Sequence, residues 1–282
     1  MATVADVVGV LRRWYPEDWA EPWDRVGLAV GEPEAPVRRV LFTVDCVPET
    51  VEQAVEVGAE LIVAHHPLLL RGVSSVATTT YKGRAVHRLI RAGVALYVAH
   101  TNADVAAPGV SDALAETLGL TDLRPLRPAS GAAAGEGRGI GRVGVLPAPV
   151  TLASLTRTVA TALPATAWGV RAAGDPDRLM RTVAVCGGAG DEFLADAAAA
   201  GADAYLTADL RHHPVSEHLA EGGPALLDAA HWATEWPWLA RVSARLTAEL
   251  PVEGIISSLV TDPWTVHAVP GVSPGEEQEY HS

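Results

Sequence analysis

The sequence predicts an α/β fold built from two related halves, and three observations carry that expectation. Short apolar runs alternate with amphipathic helical stretches through most of the chain. The links between them are short, the pattern of a parallel sheet with right-handed crossovers. An internal repeat is the third observation. Gly58-Ala59-Glu60, an apolar run and His65-His66-Pro67 are answered by Gly201-Ala202-Asp203, an apolar run and His212-His213-Pro214. Ala95-Leu96 leading to His100-x-x-x-Asp104 is answered by Ala225-Leu226 leading to His231-x-x-x-Glu235. Two matched features in matched order imply two similar α/β domains whose strand ends face one another.

Each element has a local reason. Thr3 caps a helix predicted to reach Tyr15, with Val4, Val7, Val8 and Leu11 on one face and Pro16 as its stop. A turn-rich segment, Glu21 to Leu28, follows. Val37–Val44 reads as a strand, and Pro48–Val57 as a helix with proline in its first turn and Gly58 past its end. The run from Glu60 to Ala64 is a buried strand that delivers His65 and His66 and stops at Pro67. Then come a helix over Tyr81–Ala92 closed by Gly93, a strand over Val94–Ala99 and a helix over Pro108–Leu118. Leu126 to Gly141, rich in Pro, Ala and Gly, is the expected linker, giving domains 1–127 and 128–269. In the second domain, strands are predicted near Ile140–Leu146, Ala167–Arg171, Arg181–Cys186, Asp203–Thr207 and Ala225–Asp228, with helices over Thr151–Ala162 and Asp191–Ala200. One helix is expected from His231 to Leu250, then short strands near Gly254–Ser258 and Thr265–Ala268. The tail 270–282 has the composition of a disordered segment.

The composition narrows the function classes. A length of 282 residues with 49% hydrophobic residues suits two ordinary domains with full cores. No apolar stretch reaches the ~18 residues of a membrane span and no basic-then-apolar leader opens the chain, so a cytoplasmic protein is expected. A net charge of −13 argues against a nucleic-acid backbone or an anionic membrane as partner. Two cysteines, Cys46 and Cys186, are too few for a thiolate zinc cage, so any metal must be held by His and carboxylate.

Those residue types converge at the predicted strand ends. His231 and Glu235 are four apart on a helix, hence on one face and able to hold one metal or bridge two. With His65, His66 and Asp104 they make a mixed N/O set that suits Zn, Mn, Fe, Co or Ni better than Ca or Mg. Five donors exceed what one catalytic zinc uses, so two divalent ions bridged by Glu235 fit better. Asp45, at another strand end, is placed to orient a ligand imidazole. His100, Thr101 and Asn102 are candidates for the site's rim or its substrate contacts, and His212 or His213 for general acid or base. The glycines around Gly188, between a strand and a helix, either pack helix on strand or offer amides to a phosphate.

The segments Trp23-Asp24-Arg25-Val26-Gly27-Leu28, Ala64-His65-His66-Pro67, His100-Thr101-Asn102-Ala103-Asp104, Asp209-Leu210-Arg211-His212-His213 and Asp228-Ala229-Ala230-His231-Trp232-Ala233-Thr234-Glu235 together resemble the Nif-three-like family. These are the dinuclear-metal-centre proteins called GTP cyclohydrolase 1 type 2 homologues. The resemblance spans nearly the whole chain. It implies the Nif-three-like fold of two similar α/β domains, a metal pair in the cleft between them and a toroidal homohexamer. Carried over position by position, it implies His65, His66, Asp104, His231 and Glu235 as ligands. The chain departs from the family pattern at Arg25, where Asn is usual, and at Ala230, where Gly is usual. The reading that follows is a metal-dependent hydrolase acting on a small molecule: a nucleotide, a phosphoester or a cyclic amidine. The alternative is a metal-binding or trafficking protein without turnover.

Overall fold

The computed structural model describes residues 1–268; the expected tail 270–282 lies outside the described residues. In chain order the elements are β1 (Ala2–Thr3), α1 (Val4–Trp14), β2 (Gly27–Val30), β3 (Pro36–Val37), β4 (Arg39–Thr43), α2 (Pro48–Glu56), β5 (Leu61–Ala64), α3 (Tyr81–Ala92), β6 (Ala95–Val98), α4 (Thr101–Asp104), α5 (Val110–Thr117) and β7 (Thr121–Pro128). They continue with β8 (Gly139–Thr151), α6 (Leu152–Ala162), β9 (Val170–Ala173), β10 (Leu179–Ala189), α7 (Leu194–Ala199), β11 (Ala204–Ala208), α8 (His212–Ala220), β12 (Ala225–Ala229), α9 (His231–Glu235), α10 (Pro237–Glu249) and β13 (Glu253–Ile256). Among the described residues no helix is long and apolar enough to cross a membrane.

Two compact units emerge. Residues 1–109, 131–133 and 238–261 form the first; the second holds 110–130, 134–237 and 262–268. The first unit is organised on a five-stranded sheet in the order β13-β4-β5-β6-β2. Strands β13, β4, β5 and β6 run parallel, and β2 closes the edge antiparallel to β6. Leu41, Ile62 and Leu96 meet α2 and α3 in one core cluster with Val51, Ala54 and Leu89, and the alternating residues Phe42, Val63 and Tyr97 are fully buried too, so both faces of these strands are covered and their sequences read as unbroken apolar runs. Helix α1 starts as expected: Thr3 Oγ1 accepts from the Asp6 amide at 3.2 Å, and Asp6 accepts in return from the Thr3 amide at 2.8 Å.

The second unit is a six-stranded sheet in the order β7-β8-β10-β11-β12-β9. Only its centre is parallel, β10 beside β11 and β11 beside β12. Strands β7, β8 and β9 are antiparallel to their neighbours, so the all-parallel expectation fails at both edges. The expected linker over Leu126–Gly141 also fails. Its ends are strand, with Arg127 opposite Ile140 and Pro128 opposite Gly139 in an antiparallel pair. Gly141, at φ 63°, is there because a side chain would meet the Val185 carbonyl at 2.9 Å and Leu126 Cβ at 3.0 Å. Gly139 and Gly141, which looked like part of a joint, serve close backbone approach.

Three further expectations change. The helix predicted from His231 to Leu250 is two, because Pro237 offers no amide to the preceding turn and starts α10. Residues 265–268 form no strand. Strand β2 starts at Gly27, within the segment read as turns, and runs past its end to Val30.

Candidate metal centre

In the first unit the ladder runs on past β5, so both histidines are held by backbone bonds. The His65 amide donates to the Thr43 carbonyl at 3.1 Å and the His66 amide to the Val44 carbonyl at 2.8 Å. Their rings lie 5.0 Å apart between centroids, and His100 joins them from the end of β6 at 5.1 and 5.4 Å. His65, His66 and His100 each bring a ring nitrogen within 4.8 Å of the others. Asp104 closes the single turn of α4, and its Oδ1 is 3.7 Å from His65 Nε2. Trp238 packs on the buried His65 ring at 5.5 Å between centroids.

In the second unit His231 opens α9 and Glu235 closes it, one turn apart, with His231 Nε2 3.1 Å from Glu235 Oε1. Burial alone would lower the His231 pKa; the Glu235 charge and the Asp209 hydrogen bond overcome it and push it up to about 11. Gly188, in β10 at φ 69°, makes room for this pair. A Cβ there would fall against Glu235 Oε1 and 3.0 Å from His231 Nε2. The Gly188 amide donates to Thr234 Oγ1 at 2.9 Å, which braces the same helix. Gly188 is therefore a cradle for Nε2 of His231 and Oε1 of Glu235.

One arrangement repeats at all four imidazoles. Nδ1 of His65 lies 2.9 Å from the Ala99 carbonyl, which can only accept, so this nitrogen carries the hydrogen and Nε2 the lone pair. Nδ1 of His66 meets Asp45 Oδ1 at 2.7 Å, Nδ1 of His100 meets Asp24 Oδ1 at 2.9 Å, and Nδ1 of His231 meets Asp209 Oδ2 at 2.7 Å. Holding the far nitrogen against a carboxylate or carbonyl fixes the tautomer and aims Nε2, as at metal-bound histidines generally. The donor set fits divalent transition ions on that ground, and Gly188, having no Cβ, leaves room for the Nε2 and Oε1 of α9.

Asp45 holds His66 Nδ1 with Oδ1, and its second oxygen accepts from Thr261 Oγ1 at 2.5 Å. Thr101 and Asn102 are instead spent on the turn that carries Asp104. Thr101 donates from Oγ1 and its amide to Asp24 Oδ2 at 2.6 and 3.0 Å. Asn102 is fully buried, accepting from the His100 amide at 2.9 Å and donating to the Tyr15 carbonyl at 2.8 Å. His212 and His213 are exposed at the start of α8, with their rings 5.1 Å apart. Arg25 turns its guanidinium to the Asp24 carbonyl at 2.5 Å. Asp24 and Asp209 were not singled out from the sequence, although both lie in segments it offered: Asp24 follows Trp23, and Asp209 follows β11 and opens the Asp209-Leu210-Arg211-His212-His213 segment.

Comparison with known proteins accords with this geometry. The family model Duf34/NIF3 (NGG1p interacting factor 3) matches residues 2–263. A Streptomyces coelicolor protein named GTP cyclohydrolase 1 type 2 homolog is 54% identical over 274 residues, 95% of each chain. A Mycobacterium tuberculosis protein of the same name is 38% identical over an alignment of 370 residues, covering 93% of this chain and 97% of its own. That alignment is longer than this chain, so the mycobacterial protein carries an insertion absent here. Among solved structures, a Bacillus cereus protein related to NIF3 matches with a TM-score of 0.86 at 25% identity, covering 94% of this chain and 99% of its own.

Proposed function

This chain belongs to the Duf34/NIF3 family, and from that premise we propose that it is a dinuclear divalent-metal protein acting as a hydrolase on a nucleotide, a phosphoester or a cyclic amidine. The donors are His65, His66 and Asp104 of the first unit and His231 and Glu235 of the second. The observation that carries this reading is the repeated pinning of Nδ1, which four unrelated packing histidines would not share. When bound, divalent ions supply a polarised substrate oxygen and a water acidic enough to attack near neutral pH. Glu235, almost wholly buried, is the better shielded of the two carboxylate donors and the natural bridge. His100, aimed by Asp24, can take and return a proton at Nε2 without being needed as a ligand. The name borne by the relatives points to ring opening of a guanine nucleotide, and GTP belongs in any substrate panel on that account alone.

The test begins with elemental analysis of untagged protein purified without chelator. About two divalent ions per chain are expected, falling in both His65→Ala and Glu235→Ala. No metal in the wild type after reloading would remove the proposal. Turnover on nucleotides and phosphoesters then separates hydrolase from metal carrier. Ala variants of His100, His212 and His213 identify the proton carrier as the one that loses kcat with its metal retained. The working assembly is proposed to be a toroidal homohexamer, for which light scattering should return six chains per particle.

A further inference from the structure

Helix α8 covers its sheet incompletely: none of its residues is buried. Beneath it lies a cavity of about 470 Å³, within the ~300–1,000 Å³ range of small-molecule sites. Leu226 of β12 forms part of the floor, and Val215 and Leu219 of α8 form the roof. The other end carries two arginines, each paired with a carboxylate. Arg171 of β9 sets Nε and Nη2 on Asp228 Oδ2 at 2.8 and 2.7 Å and stacks its guanidinium 4.6 Å over the Trp168 ring. Arg211 sets Nε and Nη2 on Asp191 Oδ2 at 2.7 and 2.5 Å. Each pair leaves Nη1 uninvolved. Asp228 is the carboxylate in the lining, and its Oδ1 is taken by the Leu210 amide at 3.2 Å. Arg211 is also the N-cap residue of α8, where no side chain accepts from the first-turn amides, so the amides of His212 and His213 add to the donors at that end.

We propose that this cavity binds a phosphate monoester carrying a flat apolar body, the phosphate at the Arg171–Arg211 end and the body on Leu226, Val215 and Leu219. Two guanidinium Nη1 groups and a helix N-terminus offer more hydrogens than the two oxygens of a carboxylate accept, and suit the three terminal oxygens of a phosphate. Fixing Arg171 between Asp228 and Trp168 removes much of the entropy cost of organising it on binding. The site stands independently of the metal reading, since none of its donors is a candidate ligand.

Calorimetric titration of the full chain with 1-naphthyl phosphate tests it, against 1-naphthol and inorganic phosphate. One site per chain is expected for 1-naphthyl phosphate, tighter than either half of the molecule alone. Arg211→Gln should weaken it about tenfold, and Ser216→Trp, which fills the cavity from an exposed position, should abolish it. Should the tryptophan variant not fold, the glutamine variant decides. Absence of binding, or binding unaffected by Arg211→Gln, overturns the proposal. So does binding that survives both changes but disappears in Glu235→Ala, which would place the phosphate on the metals instead.

Discussion

Carboxylates on the far side of the imidazoles set the chemistry at the scale of single residues. Asp209 and Asp45 touch no proposed ion, yet they decide where Nε2 of His231 and His66 point. Asp209→Asn or Asp45→Asn keeps the shape but removes the charge, so metal affinity should fall roughly 10- to 100-fold in a competitive chelator titration, with folding intact. An unchanged affinity would mean the carboxylates are incidental. Asp24 carries a separate prediction. Burial would raise its pKa, but hydrogen bonds from His100 and Thr101 outweigh that and hold it below the usual carboxylate range. A carboxyl whose folded pKa is depressed contributes stability that is complete above its unfolded pKa of about 3.9 and is lost as pH falls through the folded value. Wild-type stability should therefore drop below pH ~4. In Asp24→Asn the neutral-pH stability should be lower and that acid limb shallower, as read by urea denaturation across pH. The proposed ligands His65 and His66 were legible because an apolar strand delivers them together and stops at Pro67. Their carboxylate partners were not, because a lone Asp at a strand end looks the same whether it meets an imidazole or water.

Between elements, the internal repeat proves to be a repeat of scaffold. Glu60 Oε2 accepts from the amides of Arg38 and Arg39 at 3.0 and 2.8 Å, and Asp203 Oδ2 accepts from those of Arg181 and Thr182 at 2.9 Å each. Each carboxylate thus clamps the start of the preceding strand, and the next strand follows it in register, Ala95 beside Leu61 and Ala225 beside Ala204. Counted from those positions, the N-cap residues His100 and Ala230 correspond, so His231 stands one place beyond His100. The second His-His pair is likewise displaced: β11 ends at Ala208, Asp209 turns at φ 59°, and His212 begins a helix. The motif match holds for the frame and misleads as a map of donors, because a strand end can keep its backbone and carry different side chains. Removing the clamp leaves two amides short of an acceptor. Asp203→Ala and Glu60→Ala should each cost about 1–3 kcal/mol in urea unfolding, with the slope m unchanged.

For the whole molecule, sequence order and spatial order part company after Pro237. Residues 238–261 return to the first unit, where β13 pairs parallel with β4, Glu253 beside Arg39 and Ile256 beside Phe42. Trp238 arrives with them, fully buried, its Nε1 donating to the Tyr15 hydroxyl at 3.2 Å and its ring against His65. Strand pairing over such a separation has no local signature, whereas the parallel order of β4, β5 and β6 was readable from their alternation with α2 and α3. The boundary expected at residue 127 therefore cuts in the wrong place. A chain of residues 1–127 would leave β4 as a bare edge, an unpaired ladder that invites aggregation, and would open the pocket occupied by Trp238, a loss of ~3–5 kcal/mol for that side chain alone. It should show no cooperative unfolding transition. Residues 1–109 joined through a flexible Gly/Ser linker of ~15 residues to 238–261 keep the five-stranded sheet and should unfold in one step by circular dichroism. If the 1–127 chain folds cooperatively and the joined one does not, the C-terminal strand and Trp238 are dispensable to the first unit, and the histidines of its site owe nothing to the return of the chain.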